Sequence, residues 1–335
     1  MPQTLVESNL SLVYVSDGLH IFFQEDKDNS GNYAIYESHL QDGKWIRYPT
    51  PIATDAGRGT PIAAFSAFSR TGTGLTIHVV YLSKDYDLRE VYRDVKASSN
   101  WTAGNLQTSG GSDIPPTSER AFAPLSLAEF YPVGKDGQPL ISPSNQWIIY
   151  PVEEVGQIWT LHRNDPGPHQ WEQGKIPEGW GKSLPGAKLS AYLQQADIRF
   201  LVQEHNGDII EFSRGPRDDD WAHSTWLENP NESKVQILTP IATATQWDTD
   251  QHVFLVGKET IQEYVAKPGQ SGNDAKVSDL VTFYEGTNIA AFQKPEYIGD
   301  PGYIVLAYRS LDGAIATHVW TKKEGWKAGP AVTDN

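Results

Sequence analysis

The sequence predicts an all-β protein, a six-bladed β-propeller with four antiparallel strands per blade. Three observations predict this class. A pattern of short apolar segments recurs six times in 335 residues, turn residues separate the segments, and no stretch keeps the roughly 3.6-residue apolar period of a helix. Four-stranded sheets arranged radially accommodate such a repeat. Because the repeat spans the chain, we expect residues 1–335 to form one domain.

The first segment of each unit is apolar and rich in small residues. Small residues are expected in the inner strands of a propeller, which crowd around its axis. The six segments are LSLVYV (10–15), TPIAAFSAF (60–68), AFAPLSLAEF (121–130), AKLSAYLQ (187–194), TPIATATQW (239–247) and TNIAAFQ (287–293).

Two β-rich runs follow each first segment, and a tryptophan then marks the fourth strand in five units. The second runs are HIFFQ, HVVYL, WIIYP, RFLVQ, HVFLV and YIVLA, and the third runs are AIYESHL, LREVYRD, QIWTLHR, IIEFSRG, IQEYVAK and AIATHVW. Turn residues such as HNGD and SLDG separate second from third runs. We interpret the tryptophans as wedges between sheets. They are Trp45, Trp101, Trp171, Trp221 and Trp326, and the fifth unit has none.

Charge and composition narrow the partners. The chain has 27 Lys and Arg against 42 Asp and Glu, a net charge of −15, which repels nucleic-acid phosphates and anionic membrane surfaces. No segment approaches the ~20 apolar residues of a membrane helix, so we expect neither nucleic-acid binding nor membrane insertion. The first residues lack a signal-peptide pattern, which leads us to expect a cytoplasmic protein. A homodimer is left open as the assembly.

Motifs for metals and cofactors are weak. With no cysteine, thiolate zinc sites and thiol nucleophiles are excluded. Asp26, Asp28, Ser30 and Glu37 match the spacing of a calcium loop, but the flanking segments are strands, so an acidic hairpin turn is the simpler interpretation. There is no phosphate loop, dinucleotide fingerprint or nucleophile elbow. We expect no metal and no cofactor.

Polar residues recur at matching places on the second and third strands. In the fourth unit Arg199 begins RFLVQ and Glu211 follows twelve residues later. In the second unit His78 and Glu90 keep this spacing, with histidine in place of arginine. The corresponding residues of the other units are His20 and Glu37, Trp147 and Thr160, His252 and Glu263, and Tyr303 and Thr317.

This pattern resembles the fungal fucose-specific lectins, over essentially the whole chain as architecture. The resemblance implies a six-bladed propeller in which an arginine and a glutamate grip sugar hydroxyls while aromatic rings of a neighbouring blade cover the apolar sugar face. Carried onto this sequence, it makes Arg199 and Glu211 the ligand-binding pair and Trp221 their candidate aromatic wall. His78 and Glu90 form the second candidate cleft.

Three functions fit these observations. Glutamate survives in four units but arginine in one, and histidine lacks the five donors of a guanidinium. The sequence therefore favours an enzyme similar to the cofactor-free hetero-Diels–Alderases of fungal secondary metabolism, which would join a tropolone ortho-quinone methide to a humulene-type sesquiterpene by positioning and carbonyl polarisation. No catalytic residue is assigned. The alternatives are a lectin for fucosylated glycans and a protein-interaction platform.

Overall fold

The protein is described by a computed structural model over most of its strands and many of its turns. The described residues are 3–4, 9–26, 33–68, 75–85, 87–95, 100–104, 106, 126–129, 146–152, 157–163, 171–177, 183, 187–194, 197–215, 220–229, 234–245, 250–284, 288–294 and 302–332. Within these ranges no helix combines the length and the apolar character required to cross a membrane. Asp28 and Ser30 of the calcium-like motif lie outside the described residues.

Six antiparallel sheets form a six-bladed β-propeller, which confirms the predicted fold class. Blade 1 contains β1 (Gln3–Thr4), β2 (Ser11–Val15), β3 (Gly18–Asp26), β4 (Tyr33–Gln41) and β5 (Lys44–Arg47); blade 2 contains β6 (Ile62–Phe68), β7 (Leu75–Leu82), β8 (Leu88–Asp94) and β9 (Thr102–Ala103); blade 3 contains β10 (Ser126–Glu129), β11 (Gln146–Val152), β12 (Gln157–Arg163) and β13 (Glu172–Lys175). Blade 4 contains β14 (Leu189–Gln194), β15 (Asp197–Gln203), β16 (Ile209–Arg214) and β17 (Ala222–Leu227); blade 5 contains β18 (Ile241–Ala244), β19 (Gln251–Val256), β20 (Thr260–Ala266) and β21 (Lys276–Thr282); blade 6 contains β22 (Ala290–Lys294), β23 (Tyr303–Arg309), β24 (Ile315–Thr321) and β25 (Gly325–Ala328).

The innermost strands form a closed ring around the axis. Each of β2, β6, β10, β14, β18 and β22 contacts the inner strand of the next blade, and β22 contacts β2. From its inner strand each blade runs outward as a meander, so strands that are neighbours in sequence pair. The turns between second and third strands carry glycines where the sequence predicts turns. Gly207 and Gly313 have φ of 92° and 82°, a region that glycine adopts without steric cost.

The core lies between the blades. Side chains alternate along a strand, so one face of each sheet packs on the preceding blade and the other on the following blade. Phe200 and Phe212 of blade 4, for example, face blade 3, whereas Leu201 faces blade 5. Tryptophans at the fourth strands pack in these interfaces, which confirms their interpretation as wedges, and each packs toward the preceding blade. They are Trp45, Trp101, Trp171, Trp221 and Trp326.

Blade 5, which lacks this tryptophan, is filled differently. Trp226 of β17 in blade 4 is fully buried and lies against Tyr264 of blade 5, with ring centroids 5.9 Å apart. It also covers Gly272 in the short 3-10 helix Gly272–Asp274, where a Cβ would lie 2.5 Å from the indole ring. Glycine is therefore required there by close approach, and a wedge from blade 4 occupies the space beside blade 5.

Trp45 tests the importance of ring closure. Its indole is buried between blades 6 and 1 and donates a hydrogen bond to the Pro330 carbonyl at 3.1 Å. Trp45→Ala should lower the free energy of unfolding by about 3–5 kcal/mol in denaturant titrations, because it leaves a cavity in the interface. Ile46→Ala is the matched control. Ile46 is 45% exposed, so its loss should change stability by less than about 0.5 kcal/mol. Equal effects would contradict the assignment.

Candidate functional site: polar pairs between the blades

Arg199 and Glu211 form an ion pair on the face of blade 4 that looks toward blade 5. Arg199 pairs with Ser213 in the sheet and Leu201 pairs with Glu211, so all four side chains share one face. The guanidinium Nη1 donates to Glu211 Oε2 at 2.7 Å, and Nη2 donates to Asp197 Oδ2 at 3.2 Å. The predicted spacing of twelve residues thus brings the two side chains into direct contact.

Tyr192 and Gln251 brace this pair. The Tyr192 hydroxyl donates to Glu211 Oε1, and Gln251 Nε2 of blade 5 donates to the Tyr192 oxygen at 2.5 Å. Burial, and secondly the adjacent Glu211 carboxylate, hold the pKa of Tyr192 well above its usual value of 10, so the phenol stays a donor. Sequence reasoning missed both residues, although Tyr192 lies directly opposite Arg199 on β14.

The charge of Arg199 is secured by its partners. Burial acts to lower the pKa of Arg199, but the Glu211 carboxylate and Asp197 outweigh it and raise the pKa. The pair is also the most open of its kind, with 16% of the Arg199 side chain and 12% of the Glu211 side chain exposed. It presents a fixed cation and a fixed anion to the cleft between blades 4 and 5.

Trp221 does not wall this cleft, so that expectation is wrong. Its ring packs edge-on against Phe200 at 5.4 Å and Trp147 of blade 3 at 6.0 Å between ring centroids. Phe200 follows Arg199 in β15, so it and Trp221 lie on the opposite face of the sheet. A wedge packs toward the preceding blade, whereas the polar pair faces the following one. The wall of the Arg199 cleft would have to come from blade 5, the blade without the tryptophan.

His78 and Glu90 also meet as predicted, in the interface between blades 2 and 3. His78 Nδ1 lies 2.8 Å from Glu90 Oε1, and the imidazole is stacked between Phe65 and Tyr92, with ring centroids at 4.8 and 5.4 Å. The other carboxylate oxygen accepts the backbone N–H of Leu106 at 3.3 Å. Both side chains are buried, so this pair is closed by packing.

The same histidine–glutamate dyad occurs twice more. His20 Nδ1 lies 2.7 Å from Glu37 Oε1, and His252 Nδ1 lies 2.7 Å from Glu263 Oε1. The blade 6 wedge, Trp326, donates its indole N–H to Glu263 Oε2 at 2.9 Å. The replacement of arginine by histidine thus preserves a donor to the glutamate in every case, but leaves one ring nitrogen where arginine has several further N–H groups.

An arginine from the neighbouring blade enters the first cleft. Arg93 of β8 donates from Nη2 to Glu37 Oε1 at 2.7 Å and lies over the Trp101 ring at 5.5 Å. Arg93 comes three residues after Glu90, on the face that packs on the preceding blade. Arg214 comes three residues after Glu211 and likewise reaches back to the Trp147 ring of blade 3, 5.2 Å from its centroid. This register was a signal in the sequence that could have identified Arg93.

The cleft between blades 6 and 1 is aromatic. Tyr303 holds the arginine position, and Tyr14 stacks on Phe292 with ring centroids 5.7 Å apart. The Lys294 ammonium lies 5.4 Å from the Tyr14 centroid and 5.5 Å from the Tyr303 centroid. All four side chains are partly exposed, so this cleft offers flat apolar surface beside a cation. Among the residues that the structure describes, no group of three or more His, Cys, Asp or Glu is arranged to hold a metal ion.

Fold and clefts together define a lectin-like propeller, and the solved structures that resemble it are lectins of this architecture. Aleuria aurantia lectin, a fungal lectin described as a six-bladed β-propeller with a novel fucose recognition mode, has a TM-score of 0.74 and 18% identity, covering 99% of this chain and 97% of that chain. SapL1 lectin, solved in complex with α-methyl fucoside, has a TM-score of 0.70 and 17% identity, covering 98% and 97%. AofleA from Arthrobotrys oligospora has a TM-score of 0.71 and 17% identity, covering 97% and 87%. No protein-family model and no curated protein matches the sequence.

The His20–Glu37 dyad should make stability depend on pH. Burial opposes protonation of His20, but its bonds to Asp17 and Glu37 raise its pKa above 6.5. Burial likewise opposes ionisation of Glu37, but His20 and Arg93 lower its pKa below 4.5. A raised histidine pKa contributes stability below about 6.5 that is lost as pH rises through the folded value. A lowered glutamate pKa contributes stability above about 4.5 that is lost as pH falls through the folded value.

We therefore expect this network to contribute most between about pH 4.5 and 6.5. In denaturant titrations, His20→Gln should flatten the decline in unfolding free energy on the alkaline side of that window. His205→Gln, at an exposed turn position, is the control and should leave the profile unchanged. An unaltered profile in His20→Gln would refute the assignment.

Proposed function

We propose that the protein binds carbohydrate of the fucose type in the cleft between blades 4 and 5. The observation that carries this proposal is the partly exposed Arg199–Glu211 ion pair, fixed in place by Tyr192 and Gln251. The similar structures support it, because Aleuria aurantia lectin was solved in complex with α-methyl-L-fucoside and with Fucα1-6GlcNAc, and SapL1 with α-methyl fucoside.

The chemistry of the pair suits a sugar. A hydroxyl group both donates and accepts hydrogen bonds, so a carboxylate and a guanidinium side by side can bind neighbouring hydroxyls through charge-assisted bonds. Tyr192 and Gln251 hold Glu211 in one orientation before the ligand arrives, which reduces the entropy lost on binding. The absence of the blade 5 wedge leaves this pair more accessible than its counterparts, but it also removes an aromatic stacking surface.

The other clefts differ in ways that oppose the same use. The Glu37 carboxylate is already bound by His20 and Arg93, and Glu90 is fully buried. Glu263 is bonded to His252 and to the indole of Trp326. The proposal therefore gives the described clefts a single complete arginine–glutamate grip. A single site gives no avidity, so binding to multivalent glycans should be no stronger than binding to the monosaccharide, apart from statistical factors.

Arg199→Ala tests the proposed site. The wild-type protein should be retained on fucose–agarose and eluted by free fucose. The variant should bind at least about 30-fold more weakly, because removal of one partner of a charge pair costs roughly 2–5 kcal/mol. Arg89→Ala is the control. Arg89 pairs with the exposed Asp87 at 3.0 Å, away from the cleft, so retention should persist. A variant that folds, as judged by its melting curve, yet binds fucose like the wild type would contradict the proposal.

A second candidate is cofactor-free cycloaddition between a tropolone ortho-quinone methide and a humulene-type sesquiterpene. The observation that favours it is the cleft between blades 6 and 1, where Tyr14, Phe292 and Tyr303 surround Lys294. The rings would stack on a flat conjugated substrate. The ammonium would donate to the quinone-methide oxygen and lower the energy of its acceptor orbital.

A product assay separates the two candidates. If the second is correct, the protein should accelerate adduct formation from a quinone-methide precursor and humulene, detected by mass spectrometry against a protein-free reaction. Lys294→Met should then slow the reaction about tenfold or more, the usual range for removal of an electrostatic stabiliser, and Arg199→Ala should leave it unchanged. Fucose retention together with no acceleration would eliminate this candidate and support the first.

A further inference from the structure

The axis of the propeller contains a cavity of about 150 Å³. Five inner strands and the residues just before them line it, each with a four-residue segment. The segments are 9–12, 61–64, 188–191, 240–243 and 288–291. The second residue of every segment is a buried leucine or isoleucine, which places the five segments in the same register. Their first residues therefore form one ring around the axis. The ring consists of Asn9, Pro61, Lys188, Pro240 and Asn288.

Lys188 is the sole charged residue among the described residues that line this cavity. It has neither a hydrogen bond nor an ion pair within the described part of the chain. The nearby hydroxyls are satisfied, since Ser190 Oγ and Thr243 Oγ1 lie 2.9 Å apart. The ring members that face Lys188 from blades 1, 2, 5 and 6 are two asparagines and two prolines, none of which titrates.

This lysine is enclosed without a counter-charge. Its side chain borders the cavity and otherwise has protein around it, and burial, with no opposing charge, lowers the pKa of Lys188 to about 8. An ammonium removed from water is costly unless an anion or several acceptors replace its hydration shell. Because the described lining has no carboxylate, that anion would have to be supplied by a ligand.

We propose that the axial cavity is a binding site for a small carboxylate anion, with the Lys188 ammonium as its charged partner. The neutral amides of Asn9 and Asn288 lie in the same ring and are buried, so they supply polar contacts without a competing charge. The volume sets the size of the ligand. A cavity of roughly 150 Å³ holds a molecule of about six non-hydrogen atoms, which fits acetate or a comparably small carboxylate.

This site is separate from the proposed sugar cleft. Lys188 lies at the start of the inner strand of blade 4, whereas Arg199 is on the second strand and faces blade 5. The overall charge of −15 repels anions, so a local cation in a low-dielectric cavity would account for selective binding there.

Calorimetric titration of sodium acetate into the full-length protein, in a chloride-free zwitterionic buffer at low ionic strength, tests the proposal. At pH 7 the wild type should bind acetate at one site, and Lys188→Met should weaken binding about tenfold or more through loss of a charge-assisted bond. Lys276→Met is the control for lost positive charge. Lys276 is exposed on β21, so acetate binding should be unchanged.

A pH series gives a readout that does not depend on how Lys188→Met folds. A neutral amine cannot pair with an anion, so with a pKa near 8 the wild-type affinity should fall about 30-fold between pH 7 and 9.5. Lys188→Arg keeps its charge and should bind across this range with little change. The proposal is overturned if the wild type gives no binding heat, if Lys188→Met binds acetate as tightly as the wild type, or if the wild type and Lys188→Arg share one pH profile.

Discussion

A glutamate buried between two sheets needs a donor beside it, and this requirement shapes four of the six clefts. The donor is an arginine in one cleft and a histidine Nδ1 in the other three, at distances of 2.7 to 2.8 Å. Without these pairs, carboxylates would be desolvated in the interfaces that hold the ring together. The repeat thus keeps its polar bonds even where the donor side chain has changed.

The identity of the donor determines what a cleft can still do. Arg199 satisfies Glu211 with one guanidinium nitrogen and keeps the rest of its fork near the solvent, whereas an imidazole that satisfies its glutamate retains one nitrogen. Packing adds to this difference. Trp326 covers Glu263, and Arg93 crosses from blade 2 to Glu37, but blade 5 has no wedge to place over Glu211. The most accessible pair and the missing tryptophan therefore belong to the same cleft.

The axis and the clefts are chemically independent. Inner strands contribute small residues and backbone to the axis, so a single long cationic side chain such as Lys188 dominates its electrostatics. The clefts are formed by second and third strands, whose alternation sends one residue forward and the next backward. One blade can therefore carry a polar pair, a wedge and an axial charge without these groups contacting one another.

The sequence by itself determined the blade number, the strand order and the pairing of Arg199 with Glu211 and of His78 with Glu90, because these follow from a repeat with fixed spacing along paired strands. Tertiary structure decided which blade each face meets. Spacing does not specify that direction, so Trp221 was assigned to the wrong cleft, and Arg93, Tyr192, Gln251 and Lys188 were not identified. These residues acquire their roles from neighbours one blade away, and a contact between blades depends on the closure of the ring, which no local pattern encodes.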